Sequence, residues 1–182
     1  MIERIHLCFR HERRVARFDH VAFKPRYNVV IGPNGSGKTT LLEAVARCRE
    51  CRRDDEGSTR YRYFNSETMN PHRSHRHFRG IEGSVIRVRA MFSSHGETMR
   101  DVLRFMPLNP GDCFVLDEPE SGHDLQWIIK IRKGLDQLVR KSCQVIVASH
   151  HPVFWDKANV IELRKNYLTQ ARRLQRRCCC PT

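Results

Sequence analysis

The segment Gly32-Pro33-Asn34-Gly35-Ser36-Gly37-Lys38-Thr39 fits the spacing G-x-x-x-x-G-K-[S/T]. Each residue type has a task around a phosphate chain. Glycines let the backbone wrap an anion closely, and the freed N–H groups of such a turn, together with a helix start, hold negative charge. Lys38 is placed to reach the β- and γ-phosphates of a nucleotide, Thr39 to hold Mg²⁺, and Thr40 to complete the phosphate-contacting set. The motif therefore predicts an ATP and Mg²⁺ site.

Two further signals supply what hydrolysis needs. Cys113-Phe114-Val115-Leu116-Asp117-Glu118 is an apolar run that ends in two acids. Burying carboxylates costs several kcal/mol unless a cation or partner offsets it. Asp117 is read as support for Mg²⁺, and Glu118 as the base that polarises the attacking water. Ser149-His150 follows a second apolar run, Val145–Ala148. A histidine there can bond the γ-phosphate or the attacking water; the adjacent His151 leaves the choice of ring open.

These residues must be carried by alternating strands and helices. Residues 2–9 read as a strand, and 15–23 as its hairpin partner beyond a basic turn. Tyr27–Ile31 is a β-branched strand running into the glycine-rich turn, and Thr39–Arg49 a helix with Leu41, Leu42, Val45 and Ala46 at helical spacing. Residues 50–80 are rich in Arg, His, Ser and Asp and read as a loop insertion broken by a short strand at Tyr61–Phe64. A strand at 84–90 and a helix at 97–106 follow. Beyond the acidic strand come a helix from Asp124 to Arg140 and strands at Gln144–Ala148 and Val160–Leu163. The predicted fold class is α/β, a mostly parallel sheet with flanking helices and an N-terminal antiparallel portion. Residues 1–165 form one domain, and 166–182 a basic, Cys-ending flexible tail, frayed from 171 onward.

The order of phosphate loop, Asp-Glu strand and strand-end histidine resembles ABC-type P-loop ATPases. Within them it resembles the SMC, RecF and OLD-like branch of predicted AAA ATPases. Ser121-Gly122-His123-Asp124 looks like that family's D-loop, with Asp124 in the closing position. Ser93-Ser94-His95-Gly96-Glu97 looks like its signature, usually L-S-G-G-Q; Ser94 and Gly96 match, and Glu97 lies 20 residues before Asp117. The resemblance implies that Ser94 and Gly96 contact ATP held by a second copy, so that two nucleotides glue a head-to-tail homodimer. Glu67 sits in the family's Q-loop region and is a candidate Mg²⁺ or water contact. Arg13, or its neighbours Arg10 and Arg14, matches the early basic turn placed near the α-phosphate. Only 26 residues separate Glu67 from Ser94, which leaves no room for a transporter's helical subdomain or for coiled-coil arms. The resemblance thus implies a minimal ATPase head.

Bulk properties narrow the partners. With 33 Lys and Arg against 20 Asp and Glu, the net charge is +13, which suits nucleic acid or an acidic partner; an effector protein such as a nuclease is a separate candidate partner. No apolar run approaches the ~20 residues of a membrane span, and the first residues lack a secretion signal. The expected location is the cytoplasm, with no membrane insertion and with the eight cysteines reduced. Cys48-Arg49-Glu50-Cys51 forms a C-x₂-C pair, and His72, His75 and His77 follow, which allows a zinc site. The expected function is a DNA-repair or mobile-DNA-defence ATPase. The alternatives are a transporter's ATP-binding subunit, disfavoured by the missing Q-loop glutamine, and a small-molecule kinase, which does not need the Asp-Glu and histidine strand ends.

Overall fold

A computed structural model of the chain describes residues 1–15, 18–55, 57, 59–69 and 109–179. The central sheet has five strands in the order β5-β6-β7-β3-β8, all parallel. Its members are β3 (Tyr27–Ile31), β5 (Tyr61–Asn65), β6 (Cys113–Asp117), β7 (Gln144–Ala148) and β8 (Asn159–Glu162). A second, antiparallel sheet has the order β2-β1-β4, from β1 (Ile2–His6), β2 (His20–Ala22) and β4 (Arg52–Asp55). The helices are α1 (Phe9–Glu12), α2 (Lys38–Arg47), α3 (Leu125–Arg140) and α4 (Tyr167–Cys179).

Period-two alternation divides the core between the two faces of the central sheet. Val30, Val115, Ile146 and Ala148 point to one face, where they meet Leu41, Leu42 and Val45 of α2 and Ile2, Ile5 and Val21 of the small sheet. Val29, Ile31, Phe114, Leu116, Val145 and Val147 point to the other, against Ile128 and Leu135 of α3 and the pair Phe154 and Trp155. Every residue of β3, β6 and β7 is buried, which is why these strands read as continuous apolar runs. Full burial of each large aliphatic side chain contributes roughly 1.5–3 kcal/mol.

Buried amides join the pieces. Gln144 donates from Nε2 to the carbonyls of Ile2 and Lys24, each at 2.8 Å, and its Oε1 accepts the Ile2 N–H at 2.9 Å. One side chain on β7 thereby ties the small sheet to the central one. Arg53 of β4 donates to the carbonyls of Ala44, Val45 and Cys48, satisfying acceptors that the end of α2 leaves open.

Three expectations change. The basic turn after β1 contains a short helix, α1, and the strand returning from it covers only His20–Ala22 rather than 15–23. Arg52–Asp55, read as loop, is a strand paired with β1, and the strand at Tyr61 extends to Asn65 at the edge of the central sheet. The tail read as frayed is helical to Cys179, because Tyr167, Leu168 and Ala171 pack on the core beside Trp155. The Glu162 carboxylate also accepts the Leu168 N–H at 3.0 Å. The expected strand at 84–90 and helix at 97–106 lie outside the described residues.

Candidate nucleotide site

In a parallel sheet the C-terminal strand ends share one edge, where such folds bind ligands. Four strands deliver chemistry to that edge. β3 leads into the phosphate loop, β6 ends in Asp117-Glu118, β7 leads into Ser149-His150, and β5 ends in Asn65.

The phosphate loop is held open by its own backbone. Gly35 and Gly37 have φ of +77° and +92°, a region that favours glycine. A Cβ on Gly37 would sit 2.3 Å from the Arg14 carbonyl oxygen and 3.0 Å from Val15 Cα, so the segment after α1 packs directly on the loop. Lys38 is buried, and its Nζ donates to the carbonyls of Gly32 and Pro33, each at 3.2 Å. Burial lowers the Lys38 pKa, while Glu118, Asp117 and Glu120 support the charge. Thr39 is exposed at the start of α2.

Asp117 is almost fully buried. Burial pushes its pKa up to about 6; Thr39 and Asn65 counter this, while Glu118 adds to it. Its Oδ2 accepts from Asn65 Nδ2 at 2.8 Å, but its Oδ1, also buried, has no hydrogen-bond partner among the described residues. An orphaned buried carboxylate oxygen beside Thr39 and Lys38 is what a hard cation needs. The residues present therefore fit Mg²⁺, which Thr39 and Asp117 would hold.

Glu118 follows with φ +48°. This is an uncommon conformation for a residue with a side chain, fixed by its N–H bond to the Ala148 carbonyl at 2.9 Å. The twist presents its half-exposed carboxylate to His150, whose Nε2 is 3.7 Å from Glu118 Oε1. Burial lowers the His150 pKa, Lys38 lowers it further, and Glu118 raises it; the ring is neutral at physiological pH. The two adjacent histidines now separate. His151 accepts the Val153 N–H on Nδ1 and caps a one-turn 3₁₀ helix at Pro152–Phe154, whereas His150 faces the acids.

Sequence reasoning passed over two residues. Asn65 bridges β5 to Asp117, and its Oδ1 accepts from Glu67 N–H, Thr68 N–H and Thr68 Oγ1. A short amide closing the strand Tyr61-Arg62-Tyr63-Phe64 was its signal. Glu120 is largely buried, and its Oε1 accepts from Ser149 Oγ at 2.7 Å and His150 N–H at 3.0 Å. It latches the turn after β6 to the end of β7, and the repeated acid in Asp117-Glu118-Pro119-Glu120 was the clue.

The remaining candidates divide. Glu67 is exposed in the turn that Asn65 organises. Asp124 is the N-cap of α3, its Oδ1 accepting the Trp127 N–H at 2.9 Å. Arg13 is exposed and stacks over the Phe9 ring at 5.4 Å; the contact with the loop comes from the Arg14 backbone. Ser94 and Gly96 lie outside the described residues, as do His72, His75 and His77.

Comparison with known structures gives a likeness to a chain from "Model of ribosome-bound archaeal Pelota and ABCE1", with TM-score 0.51 and 18% identity over 76% of this chain and 28% of the other. This chain has the P-loop NTPase fold. The family description "AAA domain, putative AbiEii toxin, Type IV TA system" matches residues 27–103, which run from the start of β3 past the phosphate loop. A short stretch is 74% identical, over 23 residues, to the DNA replication and repair protein RecF of Psychromonas ingrahamii. That stretch is 13% of this chain and 6% of the RecF protein. Among the described residues of the P-loop domain, no helix is long and apolar enough to cross a membrane.

Proposed function

We propose that this P-loop domain binds ATP with Mg²⁺ and hydrolyses it, working as an ATP-driven dimer switch in DNA metabolism or in defence against mobile DNA. The observation that carries the reading is the meeting of Lys38, Thr39, Asp117, Glu118 and His150 at one edge of the sheet, with the two acids held in different environments. Asp117 is buried with an open oxygen for a cation. Glu118 is half-exposed, where a water can reach it. When bound, Mg²⁺ supplies Lewis-acid neutralisation of phosphate charge.

The side chains divide the remaining work. Lys38 and the loop N–H groups hold the β- and γ-phosphates and stabilise charge as it shifts to the leaving oxygen. Glu118 orients the attacking water and accepts its proton. Neutral His150 places a ring nitrogen beside Glu118, to bond the same water or the γ-phosphate. Ser94 and Gly96 complete the site across a head-to-tail pair, on the resemblance of their motif to the family signature. The +13 charge and the RecF-like stretch favour DNA as the regulator; Arg-rich surfaces bind phosphate backbones through counterion release.

The deciding experiment measures ATP hydrolysis and sedimentation of the purified chain with and without double-stranded DNA. ATP-dependent dimerisation with DNA-stimulated turnover supports the reading. Hydrolysis by a monomer indifferent to DNA removes the dimer and DNA parts, and absence of ATP binding removes it entirely.

A further inference from the structure

Away from the strand ends, Cys8, His11, Cys48 and Cys51 each offer one sulfur or nitrogen atom, and all four atoms lie within 4.8 Å of one another. They converge from three elements. Cys8 precedes α1 and His11 lies within it, Cys48 is the C-cap of α2, and Cys51 opens onto β4. The β1–β4 register, His6 opposite Arg52, brings the residues after β1 beside those before β4. Cys8 and Cys51 therefore meet although 43 positions apart.

The distances suit a metal. His11 Nδ1 lies 3.0 Å from Cys8 Sγ and 3.5 Å from Cys51 Sγ. With Zn–S near 2.3 Å and Zn–N near 2.0–2.1 Å, a tetrahedral Cys₃His site has ligand-to-ligand edges of roughly 3.5–3.8 Å. The His11–Cys51 contact lies at that range, the His11–Cys8 contact lies inside it, and the remaining pairs lie within 4.8 Å, so side-chain rotations admit an ion. The Cys8 N–H also donates to Cys51 Sγ at 3.4 Å, a bond that orients a thiolate and disperses its charge. Thiolate and imidazole select zinc over the oxygen-seeking Mg²⁺ and Ca²⁺, and the cluster contains no carboxylate.

Core packing accounts for part of the group: Cys51 lies in the core and Cys8 and Cys48 pack against it. What sets the group apart from the buried Cys113 and Cys143 is the imidazole of His11 in contact with the Cys8 and Cys51 sulfurs. The C-x₂-C pair thus has a ligand set that is complete without His72, His75 or His77.

We propose that Cys8, His11, Cys48 and Cys51 bind a structural Zn²⁺ ion. Four protein ligands leave no position for water, so the ion is a clamp and takes no part in hydrolysis. It fixes the turn carrying α1 to the far end of α2. The continuation of that turn, Arg14 and Val15, presses on Gly37 at the near end. The N-terminal segment is thereby pinned along the helix that starts at the phosphate loop.

The test is metal content of the full chain, purified without chelator, together with Co²⁺ substitution. About one zinc per chain, and the intense visible bands of tetrahedral thiolate-bound cobalt, are expected. Cys8→Ser and Cys51→Ser should lose both, while His72→Ala with His75→Ala, and the tail variant Cys178→Ser with Cys179→Ser and Cys180→Ser, should keep both. If the cysteine variants fail to fold, His11 decides. His11→Ala should release zinc to a chelator on the order of tenfold more readily, and His11→Cys should restore retention. A metal-free protein with no cobalt spectrum overturns the proposal. So does an intact mass lower by the two hydrogens of a disulfide, or zinc that survives Cys51→Ser and leaves with the tail cysteines. ATP binding and hydrolysis are not read, so this outcome stands apart from that of the nucleotide site.

Discussion

Asn65 holds Asp117 with one end of its amide and its own loop with the other. Nδ2 donates to Asp117 Oδ2 at 2.8 Å, while Oδ1 collects the N–H groups of Glu67 and Thr68 and the Thr68 hydroxyl. The two ends can be tested separately. Asn65→Asp keeps the acceptor for the turn but sets a second carboxylate against Asp117, so the two share a proton and the shared site resists ionisation. Calorimetric titration at a pH below the raised pKa should show Mg-ATP affinity falling about tenfold per unit of pKa rise, with the turn intact. Asn65→Ala removes both ends, and hydrogen exchange at the Glu67 and Thr68 amides should accelerate as well. Unchanged affinity in Asn65→Asp would mean that Asp117 is not the cation's support.

Glu118→Gln preserves size and the left-handed backbone but cannot accept a proton. Phosphate release should fall by roughly 10²–10⁴, while ATP binding changes little. Turnover close to the parent's would move the base elsewhere, with Glu120 the next acid along the same turn.

The phosphate loop gives a paired comparison. Gly37→Ala strains φ at +92° and drives a Cβ into the Arg14 carbonyl at 2.3 Å, whereas Gly35→Ala strains φ at +77° in open space. Gly37→Ala should lower stability by roughly 1–3 kcal/mol and abolish nucleotide binding; Gly35→Ala should destabilise less. Thermal melts with and without ATP give the ranking, and equal losses would show that the Arg14 contact yields.

Glu120 supplies the pH test. Burial raises its pKa above 4.5, and its bonds to Ser149 and His150 only partly counter this. Above 4.5 the unfolded chain has released the proton that the folded chain still holds, so folding stability declines as pH rises through that interval. Glu120→Gln removes the ionisation and keeps an oxygen for both donors. Its melting temperature should exceed the parent's near pH 8 by on the order of 2–4 °C, and the difference should vanish toward pH 4. A gap that stays constant across pH would show that Glu120 does not titrate in this range.

What the sequence made legible was what a short window contains. β3, β6 and β7 are buried on both faces, so their apolar runs stand out, and the loop chemistry follows immediately in the chain. β4 escaped because Arg52-Arg53-Asp54-Asp55 has no apolar alternation. It is satisfied by polar partners instead, Arg53 at the end of α2 and Asp55 beneath the Tyr61 hydroxyl. The cysteine cluster escaped for a related reason. Its halves meet through the β1–β4 register, while a linear count reached first for the histidines at 72–77. Helix α4 was masked by its charge, although Leu168 and Ala171 already gave it a docking face.

The position of β7 carries a last implication. It lies between β3 and β6, so the loop-bearing strand and the acid-bearing strand stand two strand spacings apart, roughly 9.5 Å. β7 is a ruler hydrogen-bonded on both sides. Widening or narrowing the slot would shear two ladders at once, so the gap keeps its gauge whatever occupies it. Any tightening around a reacting phosphate must then come from above the sheet edge, by loops or by another molecule pressing down on it.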